Sequence, residues 1–401
     1  MKTTLATLAV TVLASLSAFG CAFPGSEPEQ EEVATSEASL SETGPVLTWG
    51  TGVRGEGYDR SVNELLGRCD DFIDALSRIP VPQRFVDEGR PSDDPAKTKS
   101  RAIWLALETN MPAVGYCARI ANPKQEAASQ AIIRWGDKLM TTYHGGFNLV
   151  VDSDDDDPGN PINERHLIPV MFGWDMAYGR MTDAEKTKVR SFLDALDTRV
   201  TDFMNALPRT DERRQQNWMT DALAIRSYGA LVSRRELRAK ALASRFSAFV
   251  LDTYTPDTGW RRSTCENLAK VNGYGSFDLQ QRDSLAIHMK GLETVLQLSA
   301  LRPSFFDDTA QAATRDALEM TKPYVSGSEV HKELLCSTVA SDKDHPAYGT
   351  SWDPRSAKDA FRFARLAHAS TRRWLGAFDT EDHALWIKVL ASGRGDNVVY
   401  R

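Results

Sequence analysis

Apolar residues recur at intervals of three and four along most of this chain. From Leu279 to Leu301, Leu285, Met289, Leu292, Leu296 and Ala300 fall on one stripe, which predicts a helix with a single buried face. Tyr58 to Ile79 repeats the pattern with Val62, Leu65, Leu66, Cys69, Phe72, Ile73, Leu76 and Ile79. The same spacing predicts helices over 96–110, 126–143, 164–178, 183–207, 216–231, 234–251, 304–320, 356–368 and 381–391. Thr182 and Glu185 form a capping-box pair at the start of 183–207. Alternating apolar and polar positions are scarce, so short strands fit only at Thr48 to Val53 or Phe147 to Val151. The expected fold is all-α: helical hairpins joined by short loops and arranged as an incomplete α/α toroid.

The stretch before the 279–301 helix departs from a purely structural pattern. Asn272, Gly273 and Gly275 favour a sharp turn beside Tyr274 and Phe277. Asp278, Gln280, Gln281, Arg282, Asp283 and His288 crowd the turns that follow. A helix that needed only a core contact would not require Arg and His so near its stripe, so a site is expected where this helix begins.

The N-terminus reads as a targeting segment. Met1 and Lys2 provide the positive end, and the apolar run Leu5 to Phe19 is too short for a membrane span. Gly20-Cys21 resembles a bacterial lipoprotein cleavage box, with Ala18 where Leu is usual. The expected organisation is a signal peptide over 1–20, a disordered acidic tether over 21–45 and one folded domain over 46–401. The protein is expected to be exported to the periplasm, the outer membrane or the cell surface, touching membrane only through lipid on Cys21, and to be a monomer.

Composition narrows the partners. The 401 residues are 41% hydrophobic and 26% charged, with a net charge of -7. An acidic chain argues against general nucleic-acid binding, although a locally basic cleft can still take an anionic polymer. Without Cys21, Cys69, Cys117, Cys265 and Cys336 remain. An even set in an exported chain suggests disulfides, and four cysteines allow three pairings. Cys69–Cys117 with Cys265–Cys336 joins neighbouring helical units. No Cys/His cluster suggests zinc. The Asp-rich run 151–161 lacks the EF-hand spacing and reads as a solvated loop.

Three stretches together resemble the alginate-lyase-type polysaccharide lyases with an α/α toroid. NERHLIPVMFGWDMAYGRMTDAEKTKVRSFL (163–193) is similar to a helix pair of that family. QQNWMTDALAIRSYGAL (215–231) is similar to its Asn-Asn-His-x-Thr helix start, with Asn217 on the second Asn and Thr220 on the Thr. GSFDLQQRDSLAIHM (275–289) resembles its Gly-Ser turn and the helix carrying an Arg and then a Tyr, with Arg282 on that Arg if one residue is missing. The departures are Gln216 for the first Asn, Trp218 for the catalytic His, and His288 or Met289 where the Tyr belongs. The resemblance implies a toroid and an anionic uronate polymer as substrate.

A polyuronate lyase removes the proton at C5 and expels the oxygen at C4. Donors and cations must hold the sugar carboxylate while charge develops beside it. Asn217 and Gln216 offer amides, and Arg282 offers a planar fork. His288 is the candidate base because its ordinary pKa lies near neutrality. Tyr274 is the first candidate acid, Tyr348 the second and Tyr228 the third. His345 and His166 are alternative bases, and Trp218, Trp174, Trp260 and Trp352 could stack sugar rings. No metal or other cofactor is required.

Plainer roles compete with these. Asn217 would also cap a helix, Arg282 would pair with Asp278 four residues earlier, and Arg213-Arg214 would form a solvated face. Arg282 and His288 stand about 120° apart on an ideal helix, so both reach one groove only near its start. Two other functions fit the composition. A glycoside hydrolase would need two carboxylates about 5–10 Å apart, with Asp175 and Asp278 as candidates. A non-catalytic polysaccharide-binding lipoprotein would account for Trp218.

Overall fold

The computed structural model describes residues 66–87, 93–120, 122–148, 157–209, 211–215 and 217–253, with Val46 and separate positions between 291 and 314. All lie in the larger of the two units of the chain, 38–401. The regular elements are α1 (Cys69–Arg78), α2 (Pro95–Arg119), α3 (Gln125–Thr142), α4 (Pro161–Glu164), α5 (Ile168–Ala177), α6 (Asp183–Ala206), α7 (Asn217–Val232) and α8 (Glu236–Thr253). Successive helices pack as hairpins: α1 with α2, α2 with α3, α6 with α7, and α7 with α8. The all-α expectation holds, and among the described residues there is no strand.

The core is built around α5. Its sequence, IPVMFGWDMA, is apolar on nearly every side, and all ten residues are buried. A helix apolar all round can only sit inside a protein, and α5 packs against α2, α3 and α7. Two glycines permit the close approach. A Cβ on Gly136 of α3 would lie 2.3 Å from the indole nitrogen of Trp174, and one on Gly173 of α5 would lie 2.5 Å from the sulfur of Met111.

Helix starts follow local chemistry. Asp94 caps α2 by accepting from the amides of Ala96 (2.7 Å) and Lys97 (3.4 Å), with Pro95 in the first turn. Thr182 and Glu185 make the expected capping box on α6. Predicted helix ends moved where tertiary contacts prevailed. The helix expected to stop at residue 110 runs on through Pro112 to Arg119. Pro112 cannot donate to the carbonyl of Glu108, but every residue from Met111 to Ala118 is buried, and that burial outweighs the lost bond.

The single helix expected over 164–178 is instead α4, a 3-10 turn (Arg165–Leu167), α5 and a second 3-10 turn (Tyr178–Arg180). Pro169 cannot supply the bond to the carbonyl of Arg165, and Ile168 makes the shorter 3-10 bond to it. The helix expected from residue 234 begins at Glu236, because Arg234 has φ 63° and closes α7. Its amide bonds the carbonyl of Leu231, and the amide of Arg235 bonds that of Ala230. This is the Schellman pattern with arginine where glycine is usual.

A strand from Phe147 is ruled out at its first residue. His144, Gly145, Gly146 and Phe147 all have positive φ (46°, 58°, 75° and 62°), a left-handed turn that two adjacent glycines make accessible. The expected strand at 48–53 and the helices at 356–368 and 381–391 lie outside the described residues. Gly291, Leu292, Thr294, Val295 and Leu298 are helical and buried; of these only Leu292 belongs to the predicted stripe, whose other members lie outside the described residues.

A disulfide joins Cys69 in α1 to Cys117 in α2, 48 residues apart. It is one of the two bonds favoured by the helical-unit argument; Cys265 and Cys336 lie outside the described residues. Closing a loop of that length lowers the entropy of the unfolded chain by the equivalent of about 4 kcal/mol. The Cys69→Ser/Cys117→Ser double variant is therefore expected to lose about 2–4 kcal/mol in urea unfolding, and reductant should destabilise the wild type by that much more than it does the variant.

Candidate functional site

Asn163, Glu164, Arg165 and His166 are consecutive, and each side chain engages a different part of the fold. Asn160 first caps the segment, accepting from the amide of Ile162 at 2.9 Å. Asn163 Oδ1 accepts from the amide of Asp87 at 2.7 Å. Glu164 is fully buried. Its Oε2 accepts from the Tyr143 hydroxyl at 2.8 Å, and its Oε1 takes the Gly159 amide at 3.0 Å and His144 Nε2 at 2.8 Å. Burial, reinforced by the Glu164 charge, pushes the Tyr143 phenol well above its ordinary pKa, so it remains a donor.

Arg165 and His166 turn toward Asp87. Four side chains converge on that carboxylate: Arg101 Nε at 2.7 Å, Arg165 Nη2 at 3.5 Å, His166 Nε2 at 3.6 Å and Lys97 Nζ at 4.0 Å. Burial alone would raise the pKa of Asp87. His166, Arg165 and Arg101 together outweigh it and hold the carboxyl below its ordinary value of 3.8. His166 is itself fully buried, stacked on Trp104 with centroids 4.7 Å apart and meeting the edge of Phe85 at 5.1 Å. Trp104 is half-buried and the Arg101 side chain is 49% exposed, so this cluster reaches solvent through α2.

From Asp87 the polar contacts continue into α7. Arg165 Nη1 bonds Asp221 Oδ2 at 3.2 Å, and Thr294 donates to Asp221 Oδ1 at 2.8 Å. Asn217 stands four residues before Asp221 and so on the same face of α7. It is the first residue of that helix, it is buried, and its Oδ1 has no hydrogen-bond partner among the described residues. The capping role expected as the plain alternative is not what its side chain performs. A buried carbonyl oxygen without a partner is costly, and here it lies at the end of a charged seam running from Arg101 through Asp87, Arg165 and Asp221.

The other expected site residues are distributed differently. Trp218 is 2% exposed and stacks on Phe203 with centroids 6.0 Å apart, under the guanidinium of Arg213 at 5.3 Å. Tyr228 and Trp174 are buried in the core. Asp175, a carboxylate of the hydrolase alternative, is fully buried, with Arg234 Nη1 at 2.7 Å and the amide of Val46 at 3.0 Å. Arg213-Arg214 is not a solvated pair. Arg213 grips Asp211 at 2.7 and 2.9 Å, and Arg214 bonds the carbonyls of Asn205, Leu207 and Pro208 at the C-terminal end of α6. Gln216, Tyr274, Arg282, His288, His345, Tyr348, Asp278, Trp260 and Trp352 lie outside the described residues.

Sequence reasoning overlooked Asp87, Arg101, Trp104, Arg165 and Asp221. A signal existed for Asp221: a charged residue four positions after Asn217 in an otherwise apolar helix needs a buried partner. Nothing local marks Asp87, whose partners come from α2 and from the turn after α4.

No family model matches the chain, and no curated relative matches it. An alginate lyase from Bacteroides ovatus, solved by crystallography at 1.60 Å resolution, resembles it in structure with a TM-score of 0.50 at 11% identity, covering 86% of this chain and 94% of that one. The likeness is one of fold, and it accords with helical hairpins set in an α/α toroid.

The Asp87 cluster has a pH signature. A carboxyl whose folded pKa lies below its unfolded value contributes stability that is full above the unfolded pKa and disappears as pH falls through the folded one. Wild-type stability is thus expected to drop as pH falls below about 3.8, and Asp87→Asn should flatten that part of a pH series of thermal melts.

Proposed function

We propose that this chain is a polysaccharide lyase that cleaves a uronic-acid polymer, alginate or polymannuronate or else glucuronan, by β-elimination. The observation that carries the reading is Asn217: a buried side chain at the start of α7 whose Oδ1 has no hydrogen-bond partner among the described residues, beside a charged seam, on a fold resembling that of an alginate lyase. A sugar carboxylate would accept from such an amide, because rotation of the side chain presents Nδ2 in place of Oδ1.

In the proposed reaction a base takes the C5 proton, the C–H electrons form the C4=C5 double bond, and the C4–O4 bond breaks. The departing O4 receives a proton from an acid. Asn217, Gln216 and Arg282 would hold the carboxylate as charge develops. His288 is the proposed base and Tyr274 the proposed acid, with Tyr348 as the alternative. His166 is unsuited to the base role, because it is enclosed by Trp104, Phe85 and Asp87. The accompanying proposal for organisation is export on residues 1–20, lipid on Cys21 and a tether to residue 45. Among the described residues no helix is long and apolar enough to cross a membrane.

A non-catalytic polysaccharide-binding protein is the second reading. It is favoured by Trp218, a core side chain where the resembling family carries its catalytic His. Ultraviolet absorbance separates the two, because elimination leaves a conjugated unsaturated uronate and binding leaves none. With polymannuronate, polyguluronate, glucuronan, hyaluronan and pectate as substrates, absorbance is expected to rise on one polymer, and His288→Ala and Arg282→Ala are expected to abolish the rise. Asn217→Ala should lower kcat/KM about 10²–10³-fold without lowering Tm. A folded wild type that produces no absorbance on any polymer would sink the lyase reading.

A further inference from the structure

The Asp87 cluster presents more than a structural ion pair needs. Four cationic or cation-forming side chains, Lys97, Arg101, Arg165 and His166, meet one carboxylate. Arg101 spends only Nε on Asp87, and its two Nη groups hold no hydrogen bond among the described residues. A half-exposed guanidinium with an uncommitted fork is suited to a bidentate carboxylate.

The neighbouring surface is aromatic. Lys97, Arg101 and Trp104 follow one another at four and three residues along α2 and therefore share a face of that helix. One side of the Trp104 indole is stacked on the ring of His166, which is itself immobilised in the core. The ring is thus held in place before any ligand arrives, and a pre-ordered aromatic surface binds at low entropic cost. Cations that hold a carboxylate beside a fixed apolar ring face match the two halves of a uronic acid: its charged group and the C–H face of its ring.

We infer that Lys97, Arg101, Arg165 and Trp104 form a subsite for one carboxylate-bearing sugar of the polymer, apart from the sugar held at Asn217. Asp87 and His166 are positioning residues in this arrangement: Asp87 orients Arg101 and Arg165, and His166 backs the indole. The inference rests on the lyase reading for the identity of the polymer, and on the α2 cluster for the location. A subsite away from the reacting bond contributes binding that is nearly equal in the ground and transition states, so its loss falls on KM rather than on kcat.

The test uses the full chain and acidic oligosaccharides of the polyuronate that the wild type cleaves. Lys97→Gln/Arg101→Gln is expected to raise KM at least tenfold, with a smaller effect on kcat and a weaker dependence of KM on salt. Arg101→Lys, which keeps the charge and loses the fork, should fall between. Arg134→Gln, an exposed arginine on α3, should behave as wild type. If the double variant fails to melt like the wild type, Arg101→Lys alone decides. An unchanged KM in a folded variant overturns the subsite and leaves the lyase reading intact. A wild type that cleaves no polyuronate removes the reaction, and direct titration then judges the subsite. Tighter binding of an acidic than of a neutral hexasaccharide, lost in the double variant, supports it; equal binding overturns it.

Discussion

A carboxylate removed from water must be surrounded by donors, and Glu164 meets that constraint in a way that organises everything near the candidate site. It gathers the Tyr143 hydroxyl, the His144 ring and the Gly159 amide around two oxygens. Those three donors come from both ends of the segment that joins α3 to α4. With one end at the left-handed turn 144–147 and the other at Gly159, that connection is tied back to its own starting point. Gly159 completes the closure, since a Cβ there would lie 2.2 Å from the carbonyl oxygen of Arg199. Removing one member of such a group leaves a buried charge or donor uncompensated, at a cost of about 3–5 kcal/mol.

Because Glu164 is held, its neighbours have no freedom to choose partners. Asn163 on one side receives the amide of Asp87, while Arg165 and His166 on the other face the Asp87 carboxylate. The charged seam from α2 to α7 is therefore a consequence of how four consecutive residues are anchored. Below it, α5 provides an apolar floor with no groups of its own to compete, apart from Asp175, which Arg234 and the amide of Val46 occupy. The same Val46 lends its carbonyl to Arg302, so the chain just beyond the proposed tether is fastened to the domain through both backbone groups of one residue.

Much of the fold was legible from periodicity. The helices at 125–142, 183–206 and 217–232 begin and end within a residue or so of where their stripes and caps place them, because an amphipathic helix with a good cap specifies itself locally. The errors came where local rules were overruled. Pro112 reads as a stop, yet burial carries α2 past it; Arg234 reads as a helix start, yet its side chain is worth more as the closing residue of α7, reaching Asp175 and lying over Tyr178 at 3.9 Å. Of the candidate site, Asn217 and the segment 163–166 were visible as parts of a family resemblance, but Asp87 and Trp104 were not, since their meaning depends on residues far along the chain.

The sequence by itself determined the helical class and several of the caps, because each depends on contacts within a few residues and on burial that a three-to-four-residue period encodes. It also pointed to Asn217 as a residue to watch. Only the tertiary structure decided which polar groups in that apolar background belong together. Trp218 went to the core because Phe203 and Arg213 enclose it, and His166 went behind Trp104 because Asp87 and Phe85 hold it there. Those outcomes turn on shape and charge meeting across α2, α5 and α7, and a one-dimensional pattern holds the residue types without the distances between them.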